Sequence, residues 1–152
     1  MLFPKVSGSN LKREKLSLPD DFTGNLVIAL VAFQQWQQRQ VDTWIPFAEE
    51  LEQELAGVSY YELPVIRRMN ILSRTFINEG MRAGIPNPKA RERTITLYLD
   101  KTDFRAALGM AHEQSIYVLL LDSMGKVLEK IEGEFTPEKG KALKTAIAEN
   151  LM

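Results

Sequence analysis

The residues of this chain best suited to specific chemistry form a polar run from Gln34 to Gln40, which holds five glutamines, Trp36 and Arg39. Glutamine amides donate and accept hydrogen bonds, an indole offers a flat apolar face, and a guanidinium is a permanent cation. None of these groups is a nucleophile, so the chemistry they support is recognition. We predict a binding surface made of Trp36, Gln37, Gln38, Arg39, Gln40 and Trp44. The alternative is a solvated helix start without a role.

A second candidate surface lies between residues 67 and 93. This segment holds seven basic and two acidic residues, so its local charge is +5 in a chain of net charge −1. The basic residues expected to contact a partner are Arg67, Arg68, Arg91 and Arg93. Such a surface suits an acidic protein, nucleic acid or an anionic lipid headgroup. Aromatic residues are not interleaved as in RNA-binding segments, so a protein partner is favoured and nucleic acid is not expected. The alternative is a solvated helix face.

Several kinds of catalytic site are excluded by residue type. The chain has no cysteine, so it has no thiol for disulfide or peroxide chemistry. Its single histidine, His112, lies in a sequence unlike a nucleophile elbow and is interpreted as a loop residue. A zinc site needs three or four ligands, so no metal is expected. No phosphate-binding glycine motif is present, and no cofactor is expected. We therefore assign no catalytic residue.

Length and composition are typical of one folded domain. The chain has 152 residues, of which 45% are hydrophobic and 26% charged, as in ordinary globular proteins. Its longest apolar run, Leu26–Phe33, is far shorter than the roughly 20 residues of a membrane span. The first residues, Met1 to Lys5, lack the long apolar core of a signal peptide. We expect a single domain over residues 1–152, located in the cytoplasm, or in the matrix or stroma after loss of a transit peptide.

Hydrophobic patterns predict the elements that position these residues. An extended N-terminal arm covers residues 1–15 and is followed by the order β-α-β-α-β-α-β-β-α. Fully apolar or β-branched runs predict strands at Leu26–Phe33, Val58–Leu63, Thr94–Leu99, Ile116–Leu121 and Lys126–Glu132. This order favours an α/β fold with a central mixed sheet flanked by helices on both faces.

Helices are predicted where apolar residues recur three and four apart. The predicted stripes are Val41, Trp44, Ala48, Leu51 and Leu55 in the first helix, Met69, Leu72, Phe76 and Ile77 in the second, and Leu143, Ile147 and Leu151 in the last. A short helix is expected from Asp100 to Gly109. The second helix forms an insertion between core strands two and three, residues 67–93, and residues 85–93 are predicted to be a loop because they contain two prolines.

The element order resembles the thioredoxin-like superfamily, in its redoxin or peroxiredoxin-like (AhpC/TSA type) branch. Leu16 to Asp20, followed by Gly24 to Ile28, is similar to the entry of that branch into its first core strand. Phe33 to Trp36 lies where the branch has a strand end and a Trp before its active cysteines. Val118 to Val127 resembles its hairpin. Trp44 with Pro46-Phe47 is similar to the assembly chaperones of mitochondrial ATP synthase.

The resemblance implies what this chain has lost. The two cysteine positions fall on Gln37 and Gln40 when the alignment uses the Trp, or on Gln38 and Val41 when it uses Pro46. The proline that precedes the strand 118–121 in the family is replaced by about Ile116. We therefore predict a redox-inactive thioredoxin-fold protein that binds a protein partner as an assembly or scaffold factor. The alternative is a small-ligand binder or an enzyme that uses the former pocket without cysteine chemistry.

Overall fold

The computed structural model describes residues 1–151 and contains a seven-stranded mixed sheet with helices on both faces. The strands are β1 (Val6–Asn10), β2 (Lys15–Leu18), β3 (Leu26–Ala32), β4 (Val58–Arg67), β5 (Ile95–Leu99), β6 (Tyr117–Asp122) and β7 (Val127–Glu132). The helices are α1 (Gln38–Glu54), α2 (Ile71–Gly84), α3 (Pro88–Arg93), α4 (Lys101–Ala107) and α5 (Pro137–Asn150), and a 3-10 turn covers Gln35–Gln37. The predicted fold class is confirmed.

The sheet has a parallel centre and antiparallel flanks, in the order β2-β1-β5-β4-β3-β6-β7. Strands β3, β4 and β5 run parallel, with Ala32 opposite Pro64 and Val65 opposite Leu97. Strands β6 and β7 form an antiparallel hairpin beside β3. The predicted extended arm is not separate from the sheet. Its residues form β1 and the start of β2, a hairpin that pairs with β5 and extends the edge of the sheet.

Strand β3 is buried on both faces, which explains its unbroken apolar sequence. Val27, Ala29 and Val31 point into one core layer, which includes Phe104 of α4. Ile28 and Leu30 point into the opposite layer, under α1 and α5. Because successive side chains of a strand alternate between faces, one short run of sequence supplies both layers.

Helices α1 and α5 cover one face of the sheet with the predicted apolar residues. In α1, Val41, Trp44, Ala48 and Leu51 are buried, although Pro46 lies inside the helix. In α5, Leu143 and Ile147 are buried, and the Thr136 hydroxyl caps the helix by accepting from the Lys139 N–H. The third residue of that predicted stripe, Leu151, lies after the helix and is 43% exposed, so its assignment to the core is wrong.

The insertion differs most from its prediction. Helix α2 has no buried residue, and its apolar side chains Leu72 and Phe76 are exposed to solvent rather than packed on the sheet. The predicted loop 85–93 contains the helix α3 instead. Asn87 begins α3, since its side-chain oxygen accepts from the N–H groups of Lys89 and Ala90, and Pro88 fits the first turn because that position needs no N–H donor. Within residues 1–151, no helix combines the length and apolarity that crossing a bilayer requires.

Candidate binding site at the start of the first helix

The polar run forms the turn between β3 and α1, and Gln37 is its buried centre. The Gln37 side chain is fully buried, with 0% of its surface exposed. Its Oε1 accepts from the backbone N–H groups of Phe33 at 2.8 Å and Gln34 at 3.2 Å. Its Nε2 donates to the backbone oxygen of Glu113 at 2.6 Å. One amide therefore ties the end of β3 to the loop that precedes β6.

The Glu113 carboxylate completes this network from the opposite side. Its Oε1 accepts from Gln34 Nε2 at 3.0 Å and lies 3.4 Å from Lys101 Nζ. The same ammonium donates to the Phe33 carbonyl at 2.7 Å. The second oxygen, Oε2, lies 3.8 Å from Arg105 Nε. All peptide bonds of the loop before β6 are trans. Hydrogen-bonded side chains thus occupy the space beneath the helix start.

Glu113, Lys101 and Arg105 were not predicted from the sequence. They are ordinary charged residues of a loop and a short helix, and no local pattern distinguishes them from solvated side chains. The distance in sequence explains the omission, because Gln37 and Glu113 are 76 residues apart. Only the folded sheet brings the ends of β3 and the start of β6 together.

The exposed part of the run consists of Gln35, Trp36, Gln38 and Arg39. Trp36 leaves 53% of its surface in solvent, which is high for an aromatic residue on a rigid turn. Gln38 lies beside it and donates from Nε2 to Asp42 Oδ1 at 2.9 Å and to Glu62 Oε1 at 3.1 Å. A flat apolar ring, a cation and two carboxylates therefore share one surface, and Asp42 and Glu62 are further site members that sequence reasoning missed.

The carboxyl group of Glu62 is electrostatically perturbed. Burial against the sheet raises its pKa above the ordinary value, and the neighbouring Asp42 carboxylate raises it further. The hydrogen bond from Gln38 acts in the opposite direction because it favours the charged form. A cation or an N–H donor from a partner would oppose this rise in pKa, because it would favour the charged carboxylate.

Three residues of the predicted surface are not available to a partner as expected. Gln37 is buried and bonds to the protein's own backbone, as described above. Trp44 is also 0% exposed, and its indole N–H donates to the Gly133 carbonyl at 3.0 Å while its ring packs edge-on against Phe135. Gln40 is half-buried, with its Oε1 3.4 Å from the N–H of Ile116. The physical reason is their direction, since these positions of the turn and helix point toward the core.

The four predicted basic residues divide into two pairs. Arg67 and Arg68 are exposed at the end of β4, at the same carboxyl edge of the parallel strands as the β3–α1 turn. Arg91 instead bonds the carbonyls of Ile85 at 2.5 Å and Arg82 at 2.8 Å, so it fixes the turn between α2 and α3. Its predicted role as a free contact residue is therefore not supported by its geometry.

Arg93 forms the anchor of the insertion and is not a surface cation. Its guanidinium pairs with the Glu52 carboxylate of α1, and the two side chains are 13% and 19% exposed. It also lies 4.4 Å from the centre of the Tyr60 ring and donates to the Tyr60 carbonyl at 3.1 Å. The predicted contact of Arg93 with a partner stays a prediction, and this ion pair within the chain does not favour it.

A cavity of about 240 Å³ lies beside this anchor, between α1, β4 and α3. Glu49, Tyr60, Lys89 and Arg93 line it, and the Tyr60 hydroxyl donates to Glu49 at 3.3 Å. Burial raises the pKa of Tyr60 to about 12 against the lowering effect of Arg93, so the phenol stays protonated at neutral pH. The two basic residues of the cavity, Lys89 and Arg93, are both paired with Glu52, and Gln37 does not line the cavity. The cavity therefore gives no support to the alternative of a small-molecule site in the former pocket.

The described residues contain no group of three or more His, Cys, Asp or Glu side chains with the geometry of a metal site. His112 is 42% exposed and lies 3.3 Å from Glu132, outside the Gln37 network. The chemistry that the arrangement around Trp36 offers is therefore hydrogen bonding, stacking and ion pairing with a bound molecule.

Fold and site together define a class: a thioredoxin-like α/β protein that lacks cysteine. The exposed lipoprotein thioredoxin Etrx1 of Streptococcus pneumoniae is 15% identical, with a TM-score of 0.59 over 95% of this chain and 99% of its own. Arabidopsis thaliana ScoI, solved with copper bound, is 10% identical with a TM-score of 0.64, over 98% and 99%. BsSco, of the Sco family of cytochrome c oxidase assembly proteins, is 15% identical with a TM-score of 0.60, over 95% and 92%. At these identities the likeness shows the fold alone.

The family follows from the sequence of the whole chain. The chain belongs to the ATP10 protein family, whose model matches residues 1–147. A comparison with curated proteins gives no match. Both resemblances predicted from the sequence, to thioredoxin-like proteins and to the ATP synthase assembly family, are confirmed.

Proposed function

We propose that this protein is a redox-inactive assembly factor that binds a protein partner through the exposed surface formed by Trp36, Gln38, Arg39 and Asp42, with the partly buried Glu62 bonded to Gln38. The observation that carries the proposal is the 53% exposure of Trp36 above a fully bonded Gln37. Exposed aromatic and arginine side chains on a rigid base are typical of the residues that dominate protein interfaces. Membership of the ATP10 protein family supports the assembly role.

The proposed lack of redox activity is supported by the same site. The chain has no cysteine, and the helix start that carries the nucleophile in redoxins holds glutamines here. An amide cannot form a disulfide or reduce a peroxide. Gln37 is one of the two positions on which the resemblance places the first thiol, and its buried amide is bonded to the protein's own backbone on both sides. The site is therefore suited to holding a partner without reacting with it.

The complex implied by the family resemblance is the ATP synthase, and we propose that the partner is one of its unassembled components. A non-reactive surface suits this role, because a factor that releases its partner into a complex must bind it reversibly. We further propose a cytoplasmic location, which cell fractionation tests. If cells lacking this chain assembled normal amounts of ATP synthase on native gels, the proposed complex would be wrong.

Site-specific photocrosslinking in the native cells tests the surface itself. A benzoylphenylalanine at position 36 is expected to crosslink one ATP synthase component, whereas the same probe at position 124 should not. Met124 is the matched control, because it is 81% exposed on the hairpin between β6 and β7. The Trp36→Ala/Arg39→Ala variant should reduce recovery of that component at least tenfold, while Met124→Ala/Lys126→Ala should not. Equal crosslinking from both positions would contradict the proposal.

A further inference from the structure

The outer face of α2 presents large apolar side chains to solvent. Ile71, Leu72 and Phe76 are 76%, 83% and 82% exposed, and no residue of the helix is buried. Leu72 and Phe76 are one turn apart, so they lie on one side of the helix. Scattered exposed apolar residues are common, but a contiguous group of this kind marks an interaction surface.

The opposite face of α2 is held to the protein by polar contacts. The guanidinium of Arg74 lies 4.7 Å from the centre of the Tyr98 ring, and Asn78 Oδ1 accepts from the Tyr98 hydroxyl at 2.8 Å. Arg82 Nε donates to the Leu11 carbonyl at 3.0 Å. These contacts fix which side of the helix faces outward. Leu72 and Phe76 are therefore exposed because the opposite side of α2 is held to the protein, and not because the helix is detached from it.

The outer face of α2 is a ridge and not a groove. A Cβ added to Gly80 or Gly84 would have no heavy atom of another element within 4 Å, so no neighbouring element walls the helix there. Ala83, on the same side as Leu72 and Phe76, is also exposed. A ridge cannot enclose a partner's side chain; it must itself be received by a partner surface.

The charge beside this ridge is positive. Arg67 and Arg68 are exposed directly before α2, and neither has a carboxylate within 4 Å among the described residues. The first turn of α2 contains no acidic residue, and the one carboxylate of the helix, Glu79, is paired with Arg13 at 3.0 Å. The whole chain has a net charge of −1, so the excess positive charge is confined to this end of the molecule. An anionic surface would therefore attract this end more than the rest of the protein.

We propose that α2 docks on the surface of an anionic lipid bilayer. Leu72 and Phe76 enter the boundary between headgroups and acyl chains, and Arg67 and Arg68 contact the lipid phosphates. A fluid interface accepts a convex apolar ridge without a matching cleft, whereas a protein partner would need a groove of complementary shape with an acidic rim. The helix lies on the bilayer and does not cross it.

Vesicle flotation tests this docking with defined lipids. The full chain should float with phosphatidylcholine vesicles that contain about one third phosphatidylglycerol, and much less with phosphatidylcholine alone. Leu72→Ser/Phe76→Ser should lower the partition coefficient at least tenfold, while Met124→Ser, a matched exposed apolar residue on the hairpin, should leave it unchanged. Arg67→Gln/Arg68→Gln should weaken binding and its salt dependence, in contrast to Lys141→Gln/Lys144→Gln on α5. Circular dichroism would show that each variant is folded.

Three results would overturn the docking. The first is failure of the unmodified chain to float with the phosphatidylglycerol vesicles. The second is equal flotation of the ridge variant and the Met124→Ser control. A photocrosslink from position 76 to a protein, without any flotation, would also overturn it by assigning the ridge to a protein partner. The Trp36→Ala/Arg39→Ala variant should float normally, so failure of this proposal and failure of the protein-binding surface are distinguishable.

Discussion

At the scale of single residues, Gln37 shows how a position implied to be reactive can become structural. Its carbonyl oxygen accepts two backbone N–H groups and its amide nitrogen donates to the loop before β6. Buried backbone groups need such partners, because leaving them unpaired costs the full penalty of removing them from water. The glutamine thus stabilises the turn on which Trp36 and Arg39 are displayed.

We expect Gln37→Ala to lower the free energy of unfolding by about 1–3 kcal/mol, because the N–H of Phe33 would remain buried without an acceptor. Urea unfolding followed by circular dichroism measures the change. Gln35→Ala is the matched control, since Gln35 is exposed on the same turn and its substitution should stay within about 0.5 kcal/mol. Equal effects of the two substitutions would show that the Gln37 amide does not stabilise the turn.

Glu62 makes stability depend on pH. Burial first, and then Asp42, raise the folded-state pKa of this carboxyl above its unfolded value. The folded protein therefore holds the proton to higher pH, and this contribution is fully present below the unfolded pKa and lost as pH rises through the folded pKa. Glu62→Gln cannot ionise, so it should gain stability relative to the unmodified chain as pH rises from about 4 to about 7. A difference in urea midpoint that is constant over this range would contradict the assignment.

At the scale of elements, the insertion is attached by a few polar contacts rather than by a buried apolar face. Helix α2 has no buried residue, and α3 is joined to α1 mainly through the ion pair of Arg93 with Glu52. Arg91 bonds the carbonyls at the end of α2. This arrangement leaves the apolar side chains of α2 free for a partner surface, at the expense of the packing that usually stabilises a helix.

We expect Arg93→Ala to destabilise the protein by about 2–3 kcal/mol, because it leaves the partly buried Glu52 carboxylate unpaired and removes the stacking on Tyr60. Glu92→Ala is the control on the same helix. Its carboxylate lies 3.8 Å from Lys12, and the two side chains are 62% and 44% exposed, so the loss should be below about 1 kcal/mol. Hydrogen exchange should speed up in α3 for the Arg93 variant alone. Unchanged exchange there would show that other contacts hold the insertion.

At the scale of the whole molecule, strand β3 links two core layers. Its odd-numbered apolar residues pack with Phe104 and its even-numbered ones pack with Trp44. Neither layer can lose β3 without disturbing the other. The positive charge of residues 67–93 and the exposed Trp36 therefore lie on a body that should unfold as a unit, and binding at either surface should stabilise both layers.

We expect one cooperative unfolding transition. In a Trp36→Phe variant, fluorescence reports only Trp44 in the α1 layer, whereas far-ultraviolet circular dichroism reports all elements. The two urea curves should coincide, since the layers share β3. A fluorescence midpoint separated from the circular dichroism midpoint would mean that the α1 layer unfolds independently. The unmodified chain, whose fluorescence combines both tryptophans, serves as the comparison.

The sequence by itself determined five of the seven strands, most of the helices and the missing thiol. Local patterns predicted these elements: the continuous apolar run of β3, the apolar stripe of α1 and the Thr136-Pro137 start of α5. A count of zero cysteines needs no coordinates. These signals were sufficient for the fold class and the family resemblance, because the periodicity of a strand or helix is set by neighbours in the chain.

Only the tertiary structure decided which side chains are available to a partner. The same periodicity predicts burial for Trp44 and Phe76, yet Trp44 meets α5 and the sheet while Phe76 meets solvent, because no layer covers the outer face of α2. Arg68 and Arg93 look alike in sequence, but Arg93 forms an ion pair with a carboxylate that lies 41 residues away in the chain. A sequence pattern identifies which side chains are apolar or charged. Whether another element packs against such a side chain depends on long-range packing, which the spacing of residues in the sequence does not encode.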